Sequence, residues 1–157
     1  MNCAKPVLGF AAFSGTGKTT LLVKLLPLLV KRGIRVGMIK HAHHDFDIDT
    51  PGKDSYKLRK AGARQMLVAS SRRRALMTET PGQQEPQLEE LISILDLDSI
   101  DLILVEGFKH LAFPKIELHR AGLGHPLLFR EDRNIIALAA DHTPDNRDLP
   151  LLDIIIA

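Results

Sequence analysis

The segment Ser14–Thr20 reads SGTGKTT and lies between an apolar run typical of a strand and a leucine-rich run typical of a helix. Glycines at positions 15 and 17 allow the backbone to turn its N–H groups around an anion, and the following helix presents the positive end of its dipole to that anion. A strand, a glycine-rich turn, a Lys-Thr pair and a helix in this order predict a phosphate-binding loop.

The spacing within this loop assigns roles to single side chains. Lys18 is expected to reach the outer phosphates, and the hydroxyl group of Thr19 is expected to ligate Mg²⁺. The strict phosphate-loop pattern begins with glycine, whereas this chain has Ala12, a small residue that we interpret as a tolerated departure. A dinucleotide pattern G-x-G-x-x-G is excluded because its third glycine would fall on Thr20.

Length and composition limit what surrounds the loop. The 157 residues suffice for one α/β domain with its own core, so we predict a single phosphate-loop domain over residues 1–157. A formal net charge of +2 gives no reason to expect nucleic acid or an anionic membrane as a partner, and Arg72–Arg74 is interpreted as an exposed loop or strand end. The single cysteine, Cys3, and the lack of a membrane-spanning or signal-peptide pattern favour a cytoplasmic protein.

Strand-like and helix-like segments alternate along the chain, which predicts a mostly parallel sheet flanked by helices on both faces. Two short segments, Gln65–Ala69 and Arg74–Thr78, are expected to form a small antiparallel extension. The other predicted strands are Val7–Phe13, Ile34–Lys40, Leu102–Val105, Lys115–His119 and Ile135–Ala140, and the predicted helices are Leu21–Lys31, Asp54–Ala61 and Leu88–Leu95. An apolar run at 151–156 comes last.

An acid is expected across the magnesium ion from the loop, at the carboxyl edge of the sheet where ligands of such folds bind. The apolar run DLILVE offers two acids, Asp101 and Glu106. Asp101 begins the strand, which at ~3.3 Å per residue puts it on the order of 16 Å from Glu106 and at the opposite edge. We therefore assign the magnesium contact to Glu106, a surface acid before a glycine turn being the alternative.

Three histidines and three acids follow the second predicted strand. Alternate residues of an extended chain share a face, so the acids are expected to lie together. Beside a magnesium nucleotide they could hold the ion or a nucleophilic water, and we assign Asp47 and Asp49 to this catalytic role. Histidines at this spacing could instead bind zinc, nickel or copper, and a solvated loop is the third alternative. The residues are His41, His43, His44, Asp45, Asp47 and Asp49.

Asp141 follows the predicted strand Ile135–Ala140. A carboxylate at this edge could accept hydrogen bonds from the N1 and the exocyclic amine of guanine, which adenine cannot reproduce. The usual Asn-Lys-x-Asp guanine signature is absent, and an aspartate that caps the loop before Thr143-Pro144 is an equal alternative.

The loop SGTGKTT, the segment KHAHHDFDID followed by TPGKDSYKLRKAGA, the run ALMTETP and DLILVEGFKH occur in this order. The combination resembles the molybdopterin-guanine dinucleotide biosynthesis protein B family from Val7 to about Asp153. The resemblance implies a small phosphate-loop GTPase, related to nickel metallochaperone GTPases and dethiobiotin synthetase, that forms homodimers and hydrolyses GTP–Mg²⁺ weakly. It also implies an accessory or adaptor role beside the molybdopterin guanylyltransferase, with molybdopterin itself as a further possible ligand.

Matching positions give the phosphate-loop roles to seven consecutive residues and the acidic strand end to Glu106. The seven are Ser14, Gly15, Thr16, Gly17, Lys18, Thr19 and Thr20. Relatives generally continue into a last helix, whereas this chain stops at Ala157. We therefore expect that helix to be missing or shortened, or the apolar tail to be covered by a partner subunit.

Two alternative functions remain open from the sequence. A small-molecule kinase or ATP-dependent ligase on the same scaffold would use Arg72–Arg74 as phosphate clamps. A nucleotide-switched metal carrier would use the histidines that follow Lys40.

Overall fold

The computed structural model describes residues 3–42, 46–82, 85–144 and 149–153. Contacts divide the chain into two compact units. The first unit comprises Met1–His41 and Gln87–Ala157, and the second comprises Ala42–Pro86.

The first unit contains a six-stranded sheet and two α-helices. Its elements are β1 (Val7–Ala11), α1 (Lys18–Lys31), β2 (Val36–Lys40), α3 (Leu88–Ile94), β5 (Leu102–Glu106), β6 (Lys115–His119), β7 (Ile135–Ala140) and β8 (Leu151–Asp153), with α2, β3 and β4 in the second unit. The strand order is β2-β5-β1-β6-β7-β8, and every neighbouring pair is parallel. The predicted parallel α/β sheet is confirmed, and all its carboxyl ends lie at one edge.

The core explains why helices cover both faces of this sheet. In β5 the side chains of Ile103, Leu104 and Val105 are fully buried, and successive side chains of a strand point to opposite faces. Leu104 belongs to the cluster that includes Leu22 of α1. Ile103 and Val105 belong to the cluster that includes Leu88 of α3. The sequence of β5 is a continuous apolar run because both faces of this strand pack against helices.

The second unit contains α2 (Asp54–Lys60) and a two-stranded antiparallel sheet of β3 (Gln65–Ala69) and β4 (Arg74–Thr78). Both strands have the predicted bounds, and their pairing runs from Gln65 opposite Thr78 to Ala69 opposite Arg74. The arginines at 72–74 are exposed in the connecting turn and at the start of β4, as predicted.

Some boundaries differ from the predicted ones for local reasons. β2 starts at Val36 rather than Ile34 because the N–H groups of Gly33 and Ile34 close the end of α1, by donating to the carbonyl groups of Val30 and Leu29. This arrangement needs a residue with positive φ, and Gly33 supplies it at 76°. The last apolar run is described only as far as Asp153, so the predicted tail and the question of a final helix lie outside the described residues.

Candidate nucleotide-binding site

The loop between β1 and α1 adopts the geometry that an anion-binding turn requires. Gly15 and Gly17 have φ values of 81° and 90°, in the left-handed region that glycine occupies without steric cost. The hydroxyl group of Thr16 donates to the carbonyl of Phe13 at 2.9 Å and closes the turn, and Thr16 is buried. The carbonyl of Gly17 accepts the first helical hydrogen bond from Leu21 at 3.0 Å. The helix thus begins directly at Lys18.

Ala12 fits the first position of the loop. Among the described residues, Phe108 is the one non-glycine residue with positive φ, so Ala12 does not occupy the backbone region that would require glycine. Its methyl group packs against the core cluster around Phe10. The departure from the strict phosphate-loop pattern therefore costs the loop nothing in backbone strain.

A cavity of about 340 Å³ opens above the loop. Lys18 and Glu106 both line it and form an ion pair, with Lys18 Nζ 3.6 Å from Glu106 Oε1. Both side chains are mostly buried, being 20% and 15% exposed. The lining residues are Phe13, Ser14, Gly15, Thr16, Gly17, Lys18, Thr19, Thr20 and Glu106. All seven predicted loop residues and the predicted acid therefore meet in one cavity.

Asp101 lies at the opposite edge of the sheet, where its carboxylate forms an ion pair with Arg35 at 2.6 Å. Hydrogen bonds from the side chain and then the backbone N–H of Arg35 hold the pKa of Asp101 well below its ordinary value. Glu106, and not Asp101, is therefore the acid that lies beside Lys18, and its contact with magnesium stays a prediction.

Lys40 is a second cation at this site that the sequence analysis did not single out. It ends β2 directly opposite Glu106 in the parallel register, and its Nζ lies 3.9 Å from Glu106 Oε2. Its side chain is mostly exposed. The carboxylate of Glu106 is therefore shared by Lys18 and Lys40.

The segment that follows Glu106 is fixed against the end of β2. Gly107 has a φ of 103°, and a Cβ there would lie 2.6 Å from the Cβ of His41, so only glycine fits. Phe108 has a φ of 52°, and its ring stacks on that of His41 with centroids 4.6 Å apart. The N–H of His41 donates to the carbonyl of Glu106 at 2.8 Å. These contacts hold the backbone of Glu106 in place.

A buried lysine anchors the same segment from β6. Lys115 is fully buried, and its Nζ donates to the carbonyls of Lys109, at 3.1 Å, and of Leu111. The ammonium group also pairs with Asp132 at 2.7 Å. These three partners match the three N–H groups of a lysine, which makes its burial tolerable.

Glu117 is the second buried charged residue of β6. Its carboxylate accepts hydrogen bonds from the N–H groups of Leu128 and Phe129 at 2.7 and 2.9 Å. Burial outweighs these two bonds and raises the pKa of Glu117 above its ordinary value.

Asp141 is connected to the phosphate loop through Arg120, which the sequence analysis did not identify. Arg120 follows β6, and its Nε donates to the carbonyl of Thr16 at 2.9 Å. Its Nη1 lies 3.7 Å from Asp141 Oδ2. Asp141 Oδ1 accepts a hydrogen bond from Ala121 N at 3.1 Å, and His142 Nδ1 lies 3.2 Å from it. The bond from Ala121, opposed by desolvation, lowers the pKa of Asp141.

Asp47 and Asp49 lie in the second unit, where both carboxylates bind the guanidinium group of Arg59. The distances are 2.6 Å to Asp47 and 3.3 Å to Asp49, and Glu79 is a third partner. The hydrogen bond from Arg59 lowers the pKa of Asp47. A catalytic role for either acid stays a prediction, and both carboxylates have this structural partner.

The other members of the histidine and acid segment are only partly described. His41 lies at the end of β2, whereas His43, His44 and Asp45 lie outside the described residues. Within residues 3–42, 46–82, 85–144 and 149–153, no three His, Cys, Asp or Glu side chains form a group that could hold a metal ion. None of the helices in the same part of the chain has the length and apolar character needed to cross a bilayer.

A parallel sheet, a glycine-rich loop that ends in Lys-Thr at a helix start, and an acid at the end of the neighbouring strand are the arrangement typical of phosphate-loop folds. The family described as Molybdopterin guanine dinucleotide synthesis protein B (MobB) matches residues 7–141, and the chain belongs to this family.

Relatives and solved structures agree with this membership. The chain is 61% identical over 150 residues to a protein of Escherichia coli named molybdopterin-guanine dinucleotide biosynthesis adapter protein, covering 95% of this chain and 85% of the relative. A protein of the same name from Haemophilus influenzae is 46% identical over 98% of this chain and 84% of its own. The crystal structure of Bacillus subtilis MobB superposes with a TM-score of 0.73 at 25% identity, covering 96% of this chain and 93% of the other. The resemblance stated from the sequence is confirmed.

Proposed function

We propose that this chain binds GTP with Mg²⁺ at the loop Ser14–Thr20, hydrolyses it slowly, and acts as an accessory protein in molybdopterin guanine dinucleotide biosynthesis. The observation that carries the proposal is the cavity in which Lys18 and Glu106 form an ion pair over the loop, in a member of the MobB family. The name adapter protein, given to the relatives, supports an accessory role.

The residues of the loop suit the triphosphate of a nucleotide. The N–H groups of a glycine-rich turn and the start of α1 provide hydrogen-bond donors and a positive dipole end. Lys18 would leave Glu106 and pair with the outer phosphates, which carry the larger negative charge. A cavity of about 340 Å³ lies in the usual size range of small-ligand sites.

Thr19 and Glu106 are the proposed magnesium ligands. Hydroxyl and carboxylate oxygens are the hard donors that Mg²⁺ prefers, and both side chains line the cavity. When bound, the ion would neutralise charge on the phosphates and so assist their transfer. Lys40, paired with Glu106, would keep that carboxylate directed into the cavity.

Slow hydrolysis follows from the composition of the cavity. Of its lining residues, Lys18 and Glu106 are the charged ones, so neither an arginine nor a dedicated general base is present among them. We propose Asp47 or Asp49 as the residue that orients the attacking water. Arg59 already binds both carboxylates, so either acid would share its oxygens between the guanidinium group and the water, and turnover is expected to be slow.

Guanine recognition by Asp141 also remains a proposal. A carboxylate has about four acceptor positions, so Asp141 could still accept from a guanine base while Ala121 and Arg120 hold it. The discrimination between GTP and ATP in Asp141 variants decides this point.

We further propose that the chain forms homodimers and contacts the molybdopterin guanylyltransferase, with molybdopterin as a possible second ligand. The hairpin β3-β4 supports an apolar contact because Leu67, Val68 and Leu76 are exposed on it. We propose the cytoplasm as the compartment, since GTP is the proposed ligand and the one cysteine, Cys3, is free.

The proposal is tested with Lys18→Ala, and Lys24→Ala, an exposed lysine on α1, is the matched control. Binding of GTP, GDP and ATP is measured by calorimetry with and without Mg²⁺, together with the oligomer mass. Loss of the charged hydrogen bonds is expected to weaken GTP binding by about 10- to 100-fold in Lys18→Ala, with Lys24→Ala unchanged. Unchanged affinity and hydrolysis in Lys18→Ala would refute the nucleotide site. A preference for ATP with phosphate transfer to an added acceptor would support the kinase alternative.

A further inference from the structure

We propose that Arg120 is a positioning residue that orients the phosphate loop, and that Asp141 acts on the loop through Arg120. The inference rests on the nucleotide site proposed above and adds a device for keeping that site in its binding conformation. The contact joins residues 104 positions apart in the chain. It forms because β6 lies beside β1 in the sheet, so the residue after β6 reaches the loop after β1.

The hydrogen bond from Arg120 fixes the direction of one peptide group in the loop. Arg120 Nε donates to the carbonyl oxygen of Thr16 at 2.9 Å. The carbonyl and the N–H of a trans peptide point in opposite directions, so this bond turns the N–H of Gly17 away from Arg120. In a phosphate loop that is the direction of the anion. The hydroxyl of Thr16 meanwhile donates to the carbonyl of Phe13, so the side chain of Thr16 is fixed in the turn as well.

Gly17 allows the guanidinium group to lie against the loop. A Cβ at Gly17 would be 3.4 Å from Arg120 Nη2, and its φ of 90° already disfavours any other residue. A side chain at this position would strain the backbone, whereas its Cβ would only reach van der Waals contact with Arg120. The glycine that the phosphate-loop pattern requires is also the glycine against which Arg120 packs.

Asp141 keeps Arg120 in this position. Its carboxylate is held by the backbone N–H of Ala121 at 3.1 Å, and Arg120 Nη1 lies 3.7 Å away. Arginine presents its donors in a rigid planar fork, so one guanidinium group can contact the loop and the carboxylate at the same time. A lysine carries all its N–H groups on one nitrogen at the end of a flexible chain, so it lacks the planar fork that reaches both partners from separate nitrogens. The carboxyl ends of β6 and β7 are thereby coupled to the loop.

The test compares Arg120→Ala, Arg120→Lys and Asp141→Asn with Arg133→Ala, an exposed arginine of the same unit. Dissociation constants are measured for GTP, ATP and inorganic pyrophosphate with Mg²⁺. Hydrogen exchange of the loop amides is measured on the ligand-free protein, and thermal unfolding reports on the fold. Guanidinium ion is then added to Arg120→Ala as a chemical rescue.

Arg120→Ala is expected to weaken the binding of all three ligands by the same factor, about tenfold, because one charged hydrogen bond is lost. Asp141→Asn is expected to weaken binding of ATP and pyrophosphate by a smaller factor, and binding of GTP by more because the proposed guanine contact is lost as well. Arg120→Lys is expected to recover only part of the loss, and guanidinium ion is expected to restore binding in Arg120→Ala. The N–H groups of Gly17 and Lys18 should exchange faster in the ligand-free Arg120→Ala protein. Thermal unfolding should stay close to that of the wild type, because the side chain of Arg120 is 37% exposed.

If Arg120→Ala has the same ligand affinities and the same amide exchange rates as the wild type, Arg120 does not position the loop. A loss confined to GTP in Asp141→Asn would overturn the part assigned to Asp141 and make it a guanine contact instead. If the wild type binds none of the three ligands, the proposed function fails. The exchange measurement on ligand-free protein still decides whether Arg120 orders the loop.

Discussion

Replacing Glu106 with glutamine removes one negative charge from the cavity while keeping the shape of the side chain. In the ligand-free protein this carboxylate attracts both Lys18 and Lys40, at 3.6 and 3.9 Å. Nucleotide phosphates must compete with it for Lys18. The substitution is therefore expected to strengthen binding of GTP in the absence of Mg²⁺ and to weaken the additional gain that Mg²⁺ provides.

The size of the effect follows from the geometry of the Lys18–Glu106 pair. Two unit charges about 4 Å apart interact by ~1 kcal/mol in water and ~4 kcal/mol at an effective dielectric constant of about 20. The side chains are 20% and 15% exposed, so the pair lies between these limits. Taking ~2 kcal/mol predicts about 30-fold tighter magnesium-free binding at low salt, and less at physiological ionic strength.

The assay is a calorimetric titration with GTP in EDTA and in excess MgCl₂, on the wild type and on Glu106→Gln. Asp101→Asn is the control, because Asp101 flanks the same strand at the opposite edge and pairs with Arg35. It is expected to leave both affinities unchanged. Weaker magnesium-free binding in Glu106→Gln, or a gain from Mg²⁺ equal to that of the wild type, would show that Glu106 does not compete with the phosphates for Lys18 or does not hold Mg²⁺.

Two further predictions concern buried groups of β6. Lys115→Met leaves the carboxylate of Asp132 without its buried partner and should lower the unfolding free energy by about 3 kcal/mol, as measured by urea titration. The double variant Lys115→Met/Asp132→Leu should recover part of this loss, and a loss below about 1 kcal/mol in the single variant would contradict the prediction. For Glu117 the raised pKa means that the protonated form stabilises the fold, and this contribution disappears as the pH rises from the ordinary value of 4.5 through the raised one. The wild-type unfolding free energy should therefore fall relative to that of Glu117→Gln over this range, and a difference independent of pH would show that burial does not shift the pKa.

The phosphate loop and the hairpin could be predicted because each is determined by residues that are close together in the sequence. The loop needs only Gly15, Gly17 and Lys18 in sequence between a strand and a helix, and the hairpin strands β3 and β4 have the predicted bounds. Glu106 could be chosen over Asp101 because the length of a strand separates the two edges of a sheet. These inferences use geometry that spans a few residues.

The remaining contacts depend on which strands are neighbours, and alternation of strands and helices does not determine that order. Lys40 meets Glu106 because β2 pairs with β5, and Arg120 meets Thr16 because β6 pairs with β1. In the second unit, Arg59 binds Asp49 and Asp47 from 10 and 12 residues further along the chain, and the alternation of the acids does not indicate that partner. The positions of charged residues in the sequence were not enough to predict which ion pairs they form.

The most direct measurement of the central claim is a structure of the protein with a non-hydrolysable GTP analogue and Mg²⁺. We expect the outer phosphates inside the loop Ser14–Thr20, next to Lys18 Nζ, with Mg²⁺ held between the phosphates, the hydroxyl group of Thr19 and the carboxylate of Glu106. A nucleotide bound away from this loop, or an empty loop at saturating nucleotide, would contradict it.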